Sequence, residues 1–256
     1  MKSFYLFSFF LLFSFQTAAA ETLRVGMELS YPPFEMTDKS GAPSGVSVDL
    51  AKALADSLAR PLKIVNMSFD GLIPALKTGA IDVVISSLTV NEERKKSIDF
   101  SEPYVSTGLA LIVSKNSKIQ NAADLDKEGI SVAVKKGTTG HSWALNNLKK
   151  AKLLVFDKES AAIVEVLQAK SDAFIYDQLS VYQNWQKHKD KLRAILKPFQ
   201  AESWAVGVKK GNQQMIQSVN KFLKEFKSKK GFDTLATKYF GEEKKIFQEL
   251  GVEFLL

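Results

Sequence analysis

The most constraining feature of this chain is a regular alternation of short apolar strands with amphipathic helices, which occurs in two successive sets. In the first set, strand patterns at 23–27, 62–66 and 81–85 are separated by helical patterns over 48–59 and 69–78. A strand–helix–strand order of this kind predicts a parallel sheet with helices packed on it. The second set has predicted strands at 109–114, 130–134, 152–156, 172–175 and 205–208 and helices over 139–148, 160–169, 213–228 and 232–239.

The two predicted α/β units are connected by extended segments near 102–108 and 202–207. Ligands of open parallel sheets bind beyond the carboxyl ends of the strands. We therefore expect polar residues that follow strands in both units to meet in one cleft between two lobes. These residues are Glu28, Ser87, Thr89, Thr139 and Asp177.

Residues 1–20 have the features of a cleavable secretory signal peptide. Lys2 gives a short positive region, 4–15 is apolar, and small alanines at 18–20 precede Glu21. The apolar run of about 12 residues is shorter than the roughly 20 that a helix needs to span a bilayer. We expect the signal to be removed after Ala20 and the mature chain to be exported.

The sequence contains no cysteine, which excludes both a disulfide and a lipid anchor attached to a cysteine. Core packing alone must then stabilise the fold, and a chain of this length can form a sufficient core. An exported protein without a lipid anchor fits the periplasm of a double-membraned bacterium. We therefore expect a periplasmic location.

The formal net charge is +7, and a basic chain can bind nucleic acid or another polyanion. The lysines are scattered over polar faces of predicted helices, and no Gly/aromatic RNA-reading motif accompanies them. We expect no nucleic-acid partner; a polyanion-binding protein is an alternative, whose affinity would fall steeply with salt. His141 and His188 are isolated and no phosphate-binding loop is present, so we expect no metal and no cofactor.

The most informative short motif follows the strand predicted at 81–85. Hydroxyl residues come directly after this strand, and Asn91 is a favourable N-cap for a helix whose first turn holds Arg94. A guanidinium in this position can bind a carboxylate through two parallel hydrogen bonds. On local sequence alone, Arg94 has the alternative of lying in a solvated basic run. The hydroxyl residues that we expect to face a ligand are Ser86, Ser87 and Thr89.

Further motifs resemble those of the periplasmic solute-binding proteins of polar amino-acid ABC importers, family 3. The matching segments, which cover essentially the whole mature chain in order, are 31–35 (Tyr-Pro-Pro-Phe-Glu), 69–76, 85–89, 93–101, 136–140 and 231–241. One departure lies at 45–47, where Gly-Val-Ser stands in place of the Gly-Phe-Asp that is usual in the family. We expect this loop to lie away from the cleft.

The resemblance implies an α/β, two-lobed periplasmic binding protein ("flytrap") fold. Each lobe would be a mostly parallel sheet flanked by helices, and two strands would form the hinge. One lobe would comprise 21–105 with 203–256, and the other would comprise 106–202. The family also implies a monomer that binds a free amino acid and delivers it to an inner-membrane ABC permease.

The same resemblance assigns the two charged ends of an amino acid to named residues. Arg94 would bind the α-carboxylate, helped by Thr89 and by Thr139 from the other lobe. Asp177, with the carbonyl of Ser87, would bind the α-ammonium. Desolvation of a zwitterion is offset only where both of its charges are matched. From the residues alone, Asp177 and Thr139 have an alternative role as helix caps.

The remaining assignments concern the side chain of the ligand. By resemblance, Tyr31 and Phe69 would sandwich its stem, although from the residues alone each has the alternative of packing a turn or the core. Glu28 occupies the position where the family often has an acid facing the end of the ligand, and a surplus anion there favours lysine or arginine. Lys135 supports the alternative of a neutral ligand such as glutamine, because it could neutralise Glu28 internally.

An enzyme on the same scaffold is the rival class, since some relatives of this architecture are dehydratases of cyclic acids. Such a reaction needs a general acid or base in the cleft, and Glu28 is the only plausible candidate. The sequence has no convincing Ser-His-Asp set and no cysteine nucleophile. We therefore expect a binding protein rather than an enzyme.

Overall fold

The computed structural model describes residues 20–241, 245, 246 and 249. The predicted signal peptide therefore lies almost entirely outside the described residues, as does the end of the lobe that is predicted to extend to residue 256. Within the described part of the chain, no helix is long and apolar enough to cross a bilayer.

The secondary structure alternates as the sequence predicts. The strands are β1 (Leu23–Met27), β2 (Met36–Thr37), β3 (Pro43–Ser44), β4 (Leu62–Asn66), β5 (Val83–Val84), β6 (Ile98–Ser114), β7 (Ser131–Lys135), β8 (Lys152–Phe156), β9 (Ala173–Asp177) and β10 (Leu192–Lys209). The helices are α1 (Val46–Ser57), α2 (Leu72–Thr78), α3 (Glu92–Ser97), α4 (Thr139–Asn147), α5 (Glu159–Leu167), α6 (Gln178–Lys187), α7 (Gln213–Ser228) and α8 (Gly231–Phe240), with 3₁₀ turns at Phe69–Gly71 and Ala122–Asp124.

One eight-stranded sheet, in the order β4-β1-β5-β10-β6-β9-β7-β8, runs through the fold. β1 pairs in parallel with β4 and β5, and β7 pairs in parallel with β8 and β9. The antiparallel strands β6 and β10, of 17 and 18 residues, lie between these two parallel groups and pair with both. The predicted α/β class, with two parallel groups and two connecting strands, is confirmed.

The sequence patterns underestimate the length of the two connecting strands, β6 and β10. They predict only 109–114 and 205–208, which are the most buried parts of β6 and β10. The rest of each strand is missed because Pro103 interrupts the apolar pattern of β6 and because the first half of β10 is largely half-buried. The predicted lobe boundaries at 105/106 and 202/203 fall inside these strands, and they stay a prediction.

Both faces of the inner parallel strands β1, β5, β7 and β9 are largely buried, as expected for parallel strands that are covered by helices. In β7, Val132 packs in a cluster with Ala144 of α4, whereas the next residue, Ala133, packs with Ile163 of α5. This alternation follows from the pleat of a strand, which points successive side chains to opposite faces. The packed helices thereby hold the strand ends in place.

Helix α4 begins very close to β9. A Cβ atom on Gly140, in the first turn of α4, would lie 2.9 Å from the carbonyl oxygen of Ile175. A main-chain oxygen cannot turn aside as a flexible side chain can. Glycine is therefore needed here, and the close approach fixes the position of Thr139 at the start of the helix.

We predict that Gly140→Ala lowers the free energy of unfolding by about 1–3 kcal/mol, because overpacking pushes α4 away from β9. Urea denaturation followed by circular dichroism measures this change. Gly71→Ala is the matched control: its nearest neighbour would be the Ser68 hydroxyl oxygen at 3.3 Å, and we expect a change of less than about 0.5 kcal/mol. Equal losses in the two variants would contradict the prediction.

Candidate functional site

A cavity lies at the carboxyl ends of β1, β5, β7 and β9, between the two parallel groups. The fold brings all ten of the sequence-predicted binding residues to its wall: Glu28, Tyr31, Phe69, Ser86, Ser87, Thr89, Arg94, Lys135, Thr139 and Asp177. Their roles toward a ligand stay predictions. The same wall contains residues that the sequence analysis did not select, namely Glu35, Leu109, Thr138, Gly140, Tyr176, Glu202 and Trp204.

Arg94 is a buried cation at the base of this cavity. It lies in the first turn of α3, which Asn91 caps by accepting a hydrogen bond from the Arg94 N–H at 2.8 Å. The guanidinium donates from Nη1 to the Thr89 carbonyl at 2.7 Å and from Nη2 to the Gly137 carbonyl at 3.0 Å. Burial lowers the pKa of Arg94 to about 10, so the group stays charged at neutral pH. The solvated alternative for Arg94 is wrong.

Asp177 is a buried anion on the opposite wall. Its Oδ1 accepts hydrogen bonds from the Tyr31 hydroxyl at 2.7 Å and from the N–H groups of Leu179 and Ser180 at 3.0 and 3.1 Å. The carboxylate therefore caps α6, which is the alternative role that the residues alone suggested. Burial raises the pKa of Asp177 to about 6, partly offset by these donors.

The cap of α4 is Thr138 rather than Thr139. The Thr138 hydroxyl accepts a hydrogen bond from the His141 N–H at 3.3 Å and donates to the Lys135 carbonyl at 2.7 Å. The alternative capping role for Thr139 is therefore wrong. Thr139 is the first residue of the helix, is buried, and lies on the cavity wall.

Glu28 and Lys135 form an ion pair across the cavity. Both side chains are shielded, since Lys135 is 2% exposed and Glu28 is 12% exposed. The Lys135 ammonium also lies 5.5 Å from the centre of the Phe69 ring, and the Arg94 guanidinium lies at the same distance from it. Of the two alternatives that the sequence left open for Glu28, the structure contains the internally neutralised one.

Aromatic rings form another part of the wall. Tyr31 stacks on Phe34 with ring centres 5.4 Å apart, and its edges meet Tyr176 and Trp204 at 6.0 Å. Tyr31 is thus held firmly by the core, while its hydroxyl reaches Asp177. The proposed sandwich of a ligand stem between Tyr31 and Phe69 stays a prediction.

Glu35 is a buried acid that the sequence analysis missed. It accepts hydrogen bonds from the hydroxyls of Ser47 at 2.5 Å and Ser86 at 3.4 Å, and the Ser86 hydroxyl also accepts from the Glu28 N–H at 3.1 Å. The unusual Gly-Val-Ser segment thus supplies a partner for a cleft acid, although its own residues are not on the cavity wall. The departure from the family pattern at Ser47 was the signal for this pair.

Glu202 is a second missed acid, and it lies on β10. Its carboxylate accepts hydrogen bonds from the Thr89 hydroxyl at 3.2 Å and from the Gln200 side-chain amide at 3.2 Å. Glu202 is 8% exposed. No local pattern identifies it, because 113 residues separate it from Thr89.

Several contacts join the two parallel groups across the cavity. They are the ion pairs Glu28–Lys135 and Asp70–Lys136 and the hydrogen bonds Tyr31–Asp177 and Arg94–Gly137. A ligand that binds to these charged groups must replace some of these contacts. Among the described residues, no cluster of His, Cys, Asp and Glu side chains could hold a metal ion.

The sequence matches characterised proteins. A sequence model of the bacterial extracellular solute-binding proteins, family 3, matches residues 23–242. The L-cystine-binding protein TcyJ of Escherichia coli strain K12 is 30% identical over 224 residues, which make up 87% of this chain and 84% of that protein.

The fold also matches solved structures. An ancestral arginine-binding protein bound to arginine has a TM-score of 0.80 and 36% identity, over 88% of this chain and 100% of the other. An ancestral arginine-binding protein bound to glutamine has a TM-score of 0.80 and 35% identity over the same shares. The ancestral amino acid-binding protein AncCDT-1, a precursor of cyclohexadienyl dehydratase, has a TM-score of 0.78 and 37% identity, over 86% of this chain and 95% of the other.

The buried acid Glu35 predicts a pH dependence of stability. Burial raises the pKa of Glu35 from 4.5 to about 8, so between these values the folded protein holds a proton that the unfolded chain has released. Stability therefore falls as the pH rises through this window, by up to about 1.4 kcal/mol per pH unit.

We predict that Glu35→Gln flattens this dependence, because the amide stays neutral at every pH. Urea denaturation from about pH 5 to 9 measures it. Glu102→Gln, at an exposed acid, is the control and should follow the unmodified protein. A Glu35→Gln profile parallel to that of the unmodified protein would show that Glu35 is ionised throughout.

Proposed function

Since the chain belongs to the bacterial extracellular solute-binding proteins, family 3, we propose that it is the substrate-binding component of an ABC importer and captures a free polar amino acid in its cleft. Its relatives are named as amino-acid-binding proteins. In this proposal the protein acts as a monomer in the periplasm after signal cleavage, and it delivers the amino acid to an inner-membrane permease. It performs no chemical reaction on its ligand.

The two charged ends of the amino acid meet opposite charges on opposite walls. The α-carboxylate binds to Arg94 with Thr89 and Thr139, and the α-ammonium binds to Asp177 and the Ser87 carbonyl. The support for this arrangement is that Arg94 and Asp177 are buried and line the same cavity. Charge-assisted hydrogen bonds of about 1.5–3 kcal/mol each can offset the cost of desolvating the zwitterion.

The ligand side chain is neutral and polar, with glutamine as the representative case. The observation that carries this choice is the Glu28–Lys135 ion pair. Because the two charges neutralise each other, no surplus charge is left where the ligand side chain would lie. A carboxylate and an ammonium side by side offer an acceptor and a donor, which a side-chain amide matches with its own donor and acceptor.

A basic amino acid is the second candidate. It is favoured by the similarity to an ancestral arginine-binding protein that is described with arginine as well as with glutamine bound. In this case the cationic tail of the ligand pairs with Glu28 and displaces Lys135.

The sequence-based argument for a dehydratase is weakened by the same ion pair. Glu28 was the one acid that the sequence offered for proton transfer, and it is held by Lys135. AncCDT-1, the relative that leads to a dehydratase, is itself named an amino acid-binding protein.

We predict that Lys135→Met shifts the ligand preference from glutamine toward arginine and lysine by at least about tenfold, or about 1.4 kcal/mol. The change removes the cation, keeps an apolar stem, and leaves Glu28 unpaired. Isothermal titration calorimetry with each of the twenty amino acids measures the preference.

Lys136→Met is the matched control, since this neighbouring lysine is 53% exposed and pairs with Asp70 instead. Its preference should equal that of the unmodified protein. Heat from arginine or lysine but not from glutamine with the unmodified protein would select the second candidate. No heat from any amino acid would overturn the proposed function.

We also predict that Arg94→Ala abolishes amino-acid binding, because the α-carboxylate then lacks its cation. Calorimetry measures the loss, and circular dichroism checks that the variant is folded. Lys95→Ala removes the adjacent, exposed cation and should bind normally. Micromolar affinity in a folded Arg94→Ala protein would refute the carboxylate assignment.

A further inference from the structure

A protein carboxylate already lies on the donors that the proposed function assigns to the ligand carboxylate. Glu202 accepts a hydrogen bond from the Thr89 hydroxyl at 3.2 Å, and the Thr139 hydroxyl, from the other parallel group, lowers the pKa of the same carboxyl group. Arg94 attracts it electrostatically. The proposed function assigns the α-carboxylate of the ligand to the same three residues, Thr89, Thr139 and Arg94. An amino acid that binds there therefore brings a second carboxylate to a position that Glu202 already occupies.

The charges around Glu202 do not compensate a second anion. Arg94 on α3 is the cation that acts on it, and Asp177 at the end of β9 adds a repulsive negative charge. The Gln200 amide on β10 is a neutral donor. The second cation of the cavity, Lys135, is held by Glu28. Two carboxylates would therefore share one guanidinium in a site shielded from water.

We propose that Glu202 is a ligand-site residue that takes up one proton from solvent when the amino acid binds. This inference rests on the proposed function, because it requires the ligand carboxylate at Arg94. The proton adds to a carboxylate oxygen of Glu202 and no other bond changes. Once Glu202 is neutral, the Arg94 guanidinium can pair with the ligand carboxylate alone. The O–H of the Glu202 carboxyl group can also donate a hydrogen bond to the ligand carboxylate.

The direction of the effect follows from the electrostatics. Burial already raises the pKa of Glu202, while the hydroxyls of Thr139 and Thr89, the Gln200 amide and Arg94 hold it down. A ligand carboxylate that accepts hydrogen bonds from these donors takes them away from Glu202 and repels its negative charge. The pKa of Glu202 therefore rises further in the complex. Binding that takes up a proton becomes tighter as the pH falls.

Calorimetry in buffers with different ionisation enthalpies measures the proton count directly. At about pH 8, where Asp177 is ionised, we titrate the full chain with glutamine in phosphate and in Tris. The slope of the binding enthalpy against the buffer ionisation enthalpy gives the protons taken up per ligand. We expect a positive uptake in the unmodified protein and a much smaller one in Glu202→Gln.

Glu35→Gln is the matched control, because it replaces another buried acid of the cavity wall, which contacts Ser47 and Ser86 rather than Thr89. Its proton uptake should equal that of the unmodified protein. Equal uptake in the unmodified protein and in Glu202→Gln, or loss of uptake in Glu35→Gln alone, would overturn the proposal for Glu202.

The pH dependence of the affinity provides a second readout that does not depend on the buffer comparison. Between about pH 7 and 8.5, where Asp177 is ionised, the dissociation constant of the unmodified protein should rise with pH by up to about tenfold per unit, and that of Glu202→Gln should be nearly constant. A pH-independent constant in the unmodified protein would overturn the inference while leaving amino-acid binding intact. If no amino acid binds to either protein, the proposed function fails and this inference fails with it.

Discussion

Each charged side chain that the structure describes on the cavity wall has a partner, and the cleft is organised by that requirement. A buried ion without compensation costs several kcal/mol, so the walls can hold charged residues only in matched sets. Arg94 donates to main-chain carbonyls, Asp177 accepts from Tyr31 and from the start of α6, and Lys135 pairs with Glu28. Three of these contacts, namely Arg94 with the Gly137 carbonyl, Asp177 with Tyr31 and Lys135 with Glu28, also hold the two parallel groups together. A ligand competes with these contacts. Its selectivity therefore reflects the difference in free energy between the contacts that it makes and the protein contacts that it replaces.

The sequence predicted the strand–helix alternation and the meeting of polar residues at strand ends, because both follow from local periodicity and from the rules of parallel sheets. The order of residues after β5 was enough to place Arg94 in the first turn of a helix and behind a strand end. What it could not supply were contacts between distant segments. The placement of Glu202 beside Thr89 depends on the course of β10, and the choice of partner for Glu28 depends on β7 lying across the cavity.

The acids of the cavity wall differ in pKa because their surroundings differ. Glu35 has only neutral hydroxyl donors, so burial dominates and its pKa rises to about 8. Asp177 has main-chain donors from α6, so burial raises its pKa only to about 6. Two carboxyl groups that line the same cavity are thus expected in different protonation states near neutral pH. The chemistry of the site cannot be inferred from residue types alone.

The pairing of β6 and β10 is irregular between Trp204 and Ala205 and again between Ala205 and Gly207. Bulges bend a strand and leave part of its backbone unpaired, so rotation of one half of the molecule against the other would concentrate at these steps. Glu202 lies two residues before the first of these steps, and its carboxylate accepts a hydrogen bond from Thr89, which precedes α3. The angle between the two halves would then set the electrostatic environment of that acid, and the pH of the surrounding solution would in turn influence this angle.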